Sequence, residues 1–151
     1  MTRATALSPR SAPVADSSVP QPSAPGNRPR AVLVVGDDQA SREGLRAALE
    51  GDGHAVETAA DVWHALARTR DRDFDVVVVD LDLPPAQGVR LGARDIVQML
   101  HAYRPGAAMV VVSAEVDTNL QRDARTLRIA ELLEKPINPH ELRAIVRGLQ
   151  T

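Results

Sequence analysis

Several polar residues in this chain stand directly behind apolar runs, and their types are complementary. Asp37 and Asp38 follow the run AVLVV (31–35) after one glycine, Asp80 ends FDVVVV (74–79), Ser113 ends AMVVV (108–112), and Lys135 comes just after a short run ending at Leu133. Carboxylates, a hydroxyl and one ammonium are the parts needed to hold a divalent cation and a phosphoryl group. Mg²⁺ takes carboxylate oxygens and water, a hydroxyl donates to a phosphoryl oxygen, and an ammonium neutralises charge developing on it. Each residue also has a plainer role open to it. Asp38 reads better as a turn former or helix cap, Ser113 could cap the next helix, and Lys135 could be a solvated charge. Asp80 is harder to explain that way, because a carboxylate behind four valines is poorly solvated and needs a cation or hydrogen bonds nearby. Lys135 is also the only lysine among the 18 basic residues.

The elements that must position these groups are legible from periodicity. Continuous apolar runs at Ala31–Val35, Phe74–Val79 and Ala108–Val112, with weaker ones at His54–Ala59 and Ala130–Leu133, read as strands buried on both faces. Between them lie stretches of helical period. Ser41 is expected to cap a first helix with Leu45, Ala48 and Leu49 on its inner face, ended by Gly51 and Gly53; Asp61 is expected to cap a second, with Trp63, Leu66 and Ala67 inside. A polar loop, LDLPPAQG, leads to a third helix ending near Tyr103, and Asp117 to Leu127 has the length of a helix but a poor apolar face. Asn138, Pro139 and Glu141 start a last helix whose buried stripe is Leu142, Ile145, Val146 and Leu149. Five βα units without repeats predict an α/β fold, one open parallel sheet covered on both faces. In such sheets ligands bind beyond the carboxyl ends of the strands, where the residues above converge.

The chain has 151 residues, of which 44% are hydrophobic and 25% charged, the composition of one soluble domain. A net charge of −2 gives no basic field for a polyanion, and the only aromatic residues, Trp63, Phe74 and Tyr103, offer no stacking surface, so no nucleic-acid partner is expected. The absence of cysteine excludes disulfides and thiol chemistry. With no long apolar run and no secretory leader, a cytoplasmic protein without membrane contact is expected. Six of the 11 prolines fall in residues 1–30, which read as a disordered Pro/Ala/Ser-rich tail before a domain at 31–151.

Residues 31–151 resemble a response-regulator receiver domain of bacterial two-component and phosphorelay signalling. The resemblance rests on VLVV followed by acids, VVVVDLDLP with Gly88 four residues on, VVVSA, and EKP, in that order. It implies a flavodoxin-like (βα)5 fold with sheet order 2-1-3-4-5. It also implies that Asp80 accepts a phosphoryl group from a phosphohistidine on a histidine kinase or phosphotransfer protein. Mg²⁺ would be bound by Asp37, Asp80 and the backbone carbonyl of Asp82, with Ser113 and Lys135 on the phosphoryl oxygens and a cis bond between Lys135 and Pro136. Such a domain is a signalling module rather than a turnover enzyme. Since no output domain follows the last helix, a downstream partner protein is the expected listener, and homodimer formation is left open.

Four positions depart from the pattern. Gly36 aligns with the first acid of the usual pair if Arg42 matches the common basic position of the first helix; a shift by one residue would restore the pair as Asp37 and Asp38. Leu132 replaces the usual aromatic residue three places before Lys135, and Arg128 replaces a glycine seven places before it. Asp80 and Ser113 are separated by a few extra residues, assigned to VRLGA after Gly88. Two other functions compete. One is a receiver-like module that no longer takes phosphate and acts by protein contact alone. The other is a haloacid-dehalogenase-type phosphatase with Asp80 as nucleophile and Asp82 as general acid, disfavoured because that family's metal-binding acids follow its lysine. No GxGxxG or GxxxxGK[ST] stretch supports nucleotide binding.

Overall fold

A computed structural model describes residues 28–83 and 93–149; the expectations for the tail before residue 28, Gly88 and most of VRLGA lie outside them. The apolar runs form strands β1 (Ala31–Val35), β2 (Ala55–Ala59), β3 (Val76–Asp80), β4 (Ala108–Ser113) and β5 (Glu131–Glu134), alternating with helices α1 (Gln39–Gly51), α2 (Val62–Asp71), α3 (Ala93–Tyr103), α4 (Thr118–Thr126) and α5 (Pro139–Gly148). All neighbours in the sheet are parallel, in the order β2-β1-β3-β4-β5. This is the flavodoxin-like topology expected from the sequence.

Side-chain alternation divides the core into two layers. Leu33, Val35, Val77, Val79, Met109 and Val111 pack with α2 and α3 residues such as Leu66, Ile96 and Leu100. Val32, Val34, Val76, Val78, Val110 and Val112 pack on the other face with Leu45 and Leu49 of α1 and Leu142 and Val146 of α5. Central strands buried on both faces must be apolar at every position, which is why β3 and β4 are valine runs. No α4 residue is buried, in line with its weak apolar pattern. No helix among the described residues is long and apolar enough to cross a membrane.

Several boundaries differ from the sequence expectation, each for a local reason. Asp38, not Ser41, caps α1: its carboxylate accepts the Ser41 backbone N–H at 2.9 Å and the Ser41 hydroxyl as well. A carboxylate at a helix N-terminus also gains from the macrodipole, which favours it over serine. Its hydrogen bonds with Ser41, side chain first, hold the Asp38 carboxyl below its usual pKa. Phe74 lies outside β3 yet is buried beneath it, and β5 is displaced by one residue to Glu131–Glu134. Arg30 belongs to the folded region rather than to a tail. It is 3% exposed, its backbone N–H donates to His54 Nδ1 at 3.0 Å, and its guanidinium donates to the Leu149 carbonyl.

The Arg30–His54 bond requires His54 Nδ1 to be unprotonated. Burial, first of all, and the charges of Arg30 and Arg147 push the His54 pKa below its ordinary value, while Asp52 pulls the other way. In the unfolded chain His54 takes up a proton near pH 6.5, whereas in the fold it resists. Stability from this residue is therefore complete above about pH 6.5 and falls as pH drops below it, by at most about 1.4 kcal/mol per pH unit. Denaturant titrations from pH 7.5 to 5 should show this slope in the wild type. His54→Gln should reduce it, and an unchanged slope would show that other groups set it.

Arg128, just past the α4 C-terminus, has φ 58°, a left-handed conformation that a Cβ disfavours. Arg128→Gly is expected to stabilise the fold by about 0.5–1 kcal/mol, the strain relieved being larger than the entropy glycine adds to the unfolded chain. The check is the denaturation midpoint at constant m-value; a lower midpoint would mean that the arginine side chain makes compensating contacts.

Candidate functional site

The alternation that builds the core also sets the site. Even-numbered residues of β1 and β3 face α1 and α5, and continuing this count places Gly36 and Asp80 on that side at the carboxyl ends of adjacent strands. A Cβ on Gly36 would lie 3.8 Å from the Asp80 Cβ and 4.0 Å from its Oδ2. The neighbour of Asp80 in the first loop is therefore Gly36, while Asp38 is at the α1 cap. Asp37, between them, is exposed at the site.

Asp80 is held from two directions. Its Oδ2 lies 2.8 Å from Lys135 Nζ, and its Oδ1 accepts the Asp82 backbone N–H at 2.8 Å. The Asp82 side chain reaches further: its Oδ2 is 3.3 Å from Lys135 Nζ and accepts the Ala114 N–H at 2.7 Å, linking the loop after β3 to the loop after β4. Lys135 is positioned by its backbone N–H, which donates to the Ser113 carbonyl at 2.9 Å, and its bond to Pro136 is cis, as the resemblance implied. Partial burial works against its charge, but hydrogen bonds and charges from Asp80 and Asp82 overcome this and raise its pKa. Lys135 is thus a fixed cation at neutral pH.

Ser113 ends β4 and is buried, and its hydroxyl donates to the Glu115 carbonyl at 3.0 Å rather than to Asp80. Leu132, which stands where the family pattern has an aromatic residue, is partly buried against the α2/α3 layer.

A cavity of about 540 Å³ opens over these groups, lined by Gly36, Asp37, Asp80, Lys135, Arg42 and apolar residues of β1, β3 and β4. Among the described residues no three Asp, Glu or His side chains converge closely enough to hold a metal by themselves. The donors still fit Mg²⁺, which typically takes one or two carboxylates and keeps several waters. Asp37 and Asp80, which both line the cavity, are such a pair. Two contacts were not foreseen from sequence: the Asp82 side-chain bridge, and Arg42, whose Nη1 donates to the Gly36 carbonyl at 2.6 Å. Spacing alone indicates neither.

Comparison with known proteins agrees with this geometry. The family model for the response regulator receiver domain matches residues 32–147. The chain belongs to this family. Curated relatives include the KDP operon transcriptional regulatory protein KdpE of Escherichia coli, 34% identical over 116 residues that make up 77% of this chain and 49% of KdpE. Transcriptional regulatory protein TcrA of Mycobacterium tuberculosis is 36% identical over 125 residues, 78% of this chain and 45% of TcrA. Sensor histidine kinase AruS of Pseudomonas aeruginosa is 33% identical over 112 residues, 74% of this chain and 11% of AruS. The receiver thus spans half or less of each of these relatives. Among solved structures, the non-phosphorylated HemR receiver domain from Leptospira biflexa superposes with a TM-score of 0.70 at 27% identity, covering 82% of this chain and 98% of that one. Vibrio cholerae chemotaxis protein CheY4 gives 0.69 at 25%, covering 81% and 100%. Receiver domains are signalling modules of two-component systems, not enzymes that turn over an external substrate.

Proposed function

We propose that this receiver accepts a phosphoryl group on Asp80 and passes the signal on by protein contact. The observation that carries the proposal is the Asp80 carboxylate at the end of a buried strand, 2.8 Å from a lysine that is positioned through β4. In the transfer a carboxylate oxygen of Asp80 attacks phosphorus, the P–N bond of a donor phosphohistidine protonated on its other ring nitrogen breaks, and the bond's electron pair leaves with the neutral imidazole. Lys135 neutralises charge on the phosphoryl oxygens, and the Ser113 hydroxyl, released from Glu115, donates to one of them. Asp37, Asp80 and the Asp82 carbonyl would hold Mg²⁺, which supplies charge neutralisation for the incoming phosphoryl group.

The donor is a histidine kinase or a histidine phosphotransfer protein, and the listener a partner protein or a second copy of this chain, in the cytoplasm. Phosphorylation adds roughly −1.5 to −2 charges beside existing carboxylates. Rearrangement of the loop after β4 and of α4 is the response that follows from Ser113 leaving Glu115.

Incubation with a small-molecule phosphoryl donor tests the reading. One phosphoryl group per chain, Mg²⁺-stimulated and labile to hydroxylamine as an acyl phosphate is, supports it; no incorporation under any condition would leave the contact-only module, which Gly36 and Leu132 favour. Sustained hydrolysis of an aryl phosphate would instead indicate the phosphatase.

A further inference from the structure

The strongest feature not used above is the pairing of Gly36 with Arg42. A Cβ on Gly36 would lie 3.8 Å from the Arg42 Cγ as well as 3.8 Å from the Asp80 Cβ, so a side chain at position 36 would separate the two residues. Glycine leaves that space open. Arg42 lines the cavity together with Asp80 and Lys135, and its described protein contact is one hydrogen bond to the Gly36 carbonyl, with no carboxylate within salt-bridge distance among the described residues. A guanidinium has five N–H donors in a rigid fork, so most of its hydrogen-bonding capacity is left for a ligand. The cavity therefore has cations on both sides of Asp80, Lys135 from the β5 side and Arg42 from the α1 side.

From this geometry we infer that Arg42 is an anion-binding residue of the site, admitted by Gly36, that contacts the phosphoryl group from the α1 side and takes over part of the charge neutralisation that a divalent metal provides. The inference rests on the phosphoryl-accepting reading of Asp80. It accounts jointly for a lost acid and for an arginine that feels the Asp38 charge through space but forms no salt bridge among the described residues: removing one negative group and opening the space beside one positive group both shift the cavity from cation binding towards anion binding.

Calorimetric titration tests it, with beryllofluoride as the phosphoryl mimic at high and at trace Mg²⁺, and with Mg²⁺ alone. Arg42→Gln should weaken mimic binding about tenfold at both metal levels, the scale of one charge-assisted hydrogen bond. Its affinity for Mg²⁺ alone should be unchanged or tighter, and Arg42→Lys should retain most of the mimic affinity. Gly36→Asp should tighten Mg²⁺ and weaken the mimic at trace metal, because the new carboxylate pairs with Arg42. Wild-type mimic affinity in Arg42→Gln would overturn the inference, as would a parallel loss of Mg²⁺ affinity, mimic affinity and thermal stability, which marks a structural role. If the wild type binds no more mimic than Asp80→Asn, the reading of Asp80 itself fails, and the inference with it.

Discussion

Asp80→Asn is expected to abolish phosphoryl incorporation, at least about a hundredfold below wild type, because an amide is a far weaker nucleophile than a carboxylate and cannot form the acyl phosphate. The substitution nearly preserves shape. The amide oxygen can still accept from Lys135 or from the Asp82 N–H, the two groups that hold Asp80, so the fold should persist. Intact-mass measurement after exposure to a small phosphoryl donor reads the result, with circular dichroism as the control for folding. Labelling of a folded Asp80→Asn protein would move the acceptor to another carboxylate, with Asp37 and Asp82 the nearest candidates.

The second large effect is expected at Lys135. Its Nζ serves Asp80 at 2.8 Å and Asp82 at 3.3 Å, a convergence that suits a compact ammonium with three rotatable donors. A planar guanidinium is longer and would have to displace one carboxylate to contact the other. Lys135→Arg should therefore fold normally, since the backbone bond from Lys135 to Ser113 does not depend on the side chain, yet lose about tenfold in phosphotransfer rate. Lys135→Ala should lose about a hundredfold, the scale seen when one donor to a developing anion is removed. Stopped-flow measurement of incorporation separates these cases. Equal rates in all three proteins would mean that Lys135 is a structural partner of Asp80 and not part of the transfer.

Much of this arrangement is legible in the linear chain, for identifiable reasons. A strand buried on both faces admits almost nothing but apolar residues, so VVVV at 76–79 and MVVV at 109–112 announce themselves, and the polar group ending each is conspicuous. Sheet order followed from the family resemblance. Ambiguity persisted where two chemistries share one residue type. Asp38 was legible as a helix cap and is one, but whether Gly36 or Asp37 takes the place of the first acid was open in the sequence, and the pleat, which puts Gly36 beside Asp80, answers it. The Asp82 bridge to Ala114 spans 32 residues and depends on how two loops meet. Arg30 looked like tail because its neighbours are prolines and arginines, yet its backbone N–H meets a histidine that lies 24 residues away in the chain.

Helix α4 contributes no buried residue, whereas α5 places Leu142 and Val146 at 0% exposure. The difference separates the two helices thermodynamically. Displacing α5 opens the core and costs a large part of the global stability, while α4, with no buried residue of its own, can shift or fray at a smaller cost. It follows the loop in which the Ser113 hydroxyl donates to the Glu115 carbonyl at 3.0 Å and accepts the Glu115 N–H at 3.4 Å. A change at Asp80 worth only a few hydrogen bonds is thus matched in scale to the element it would have to move.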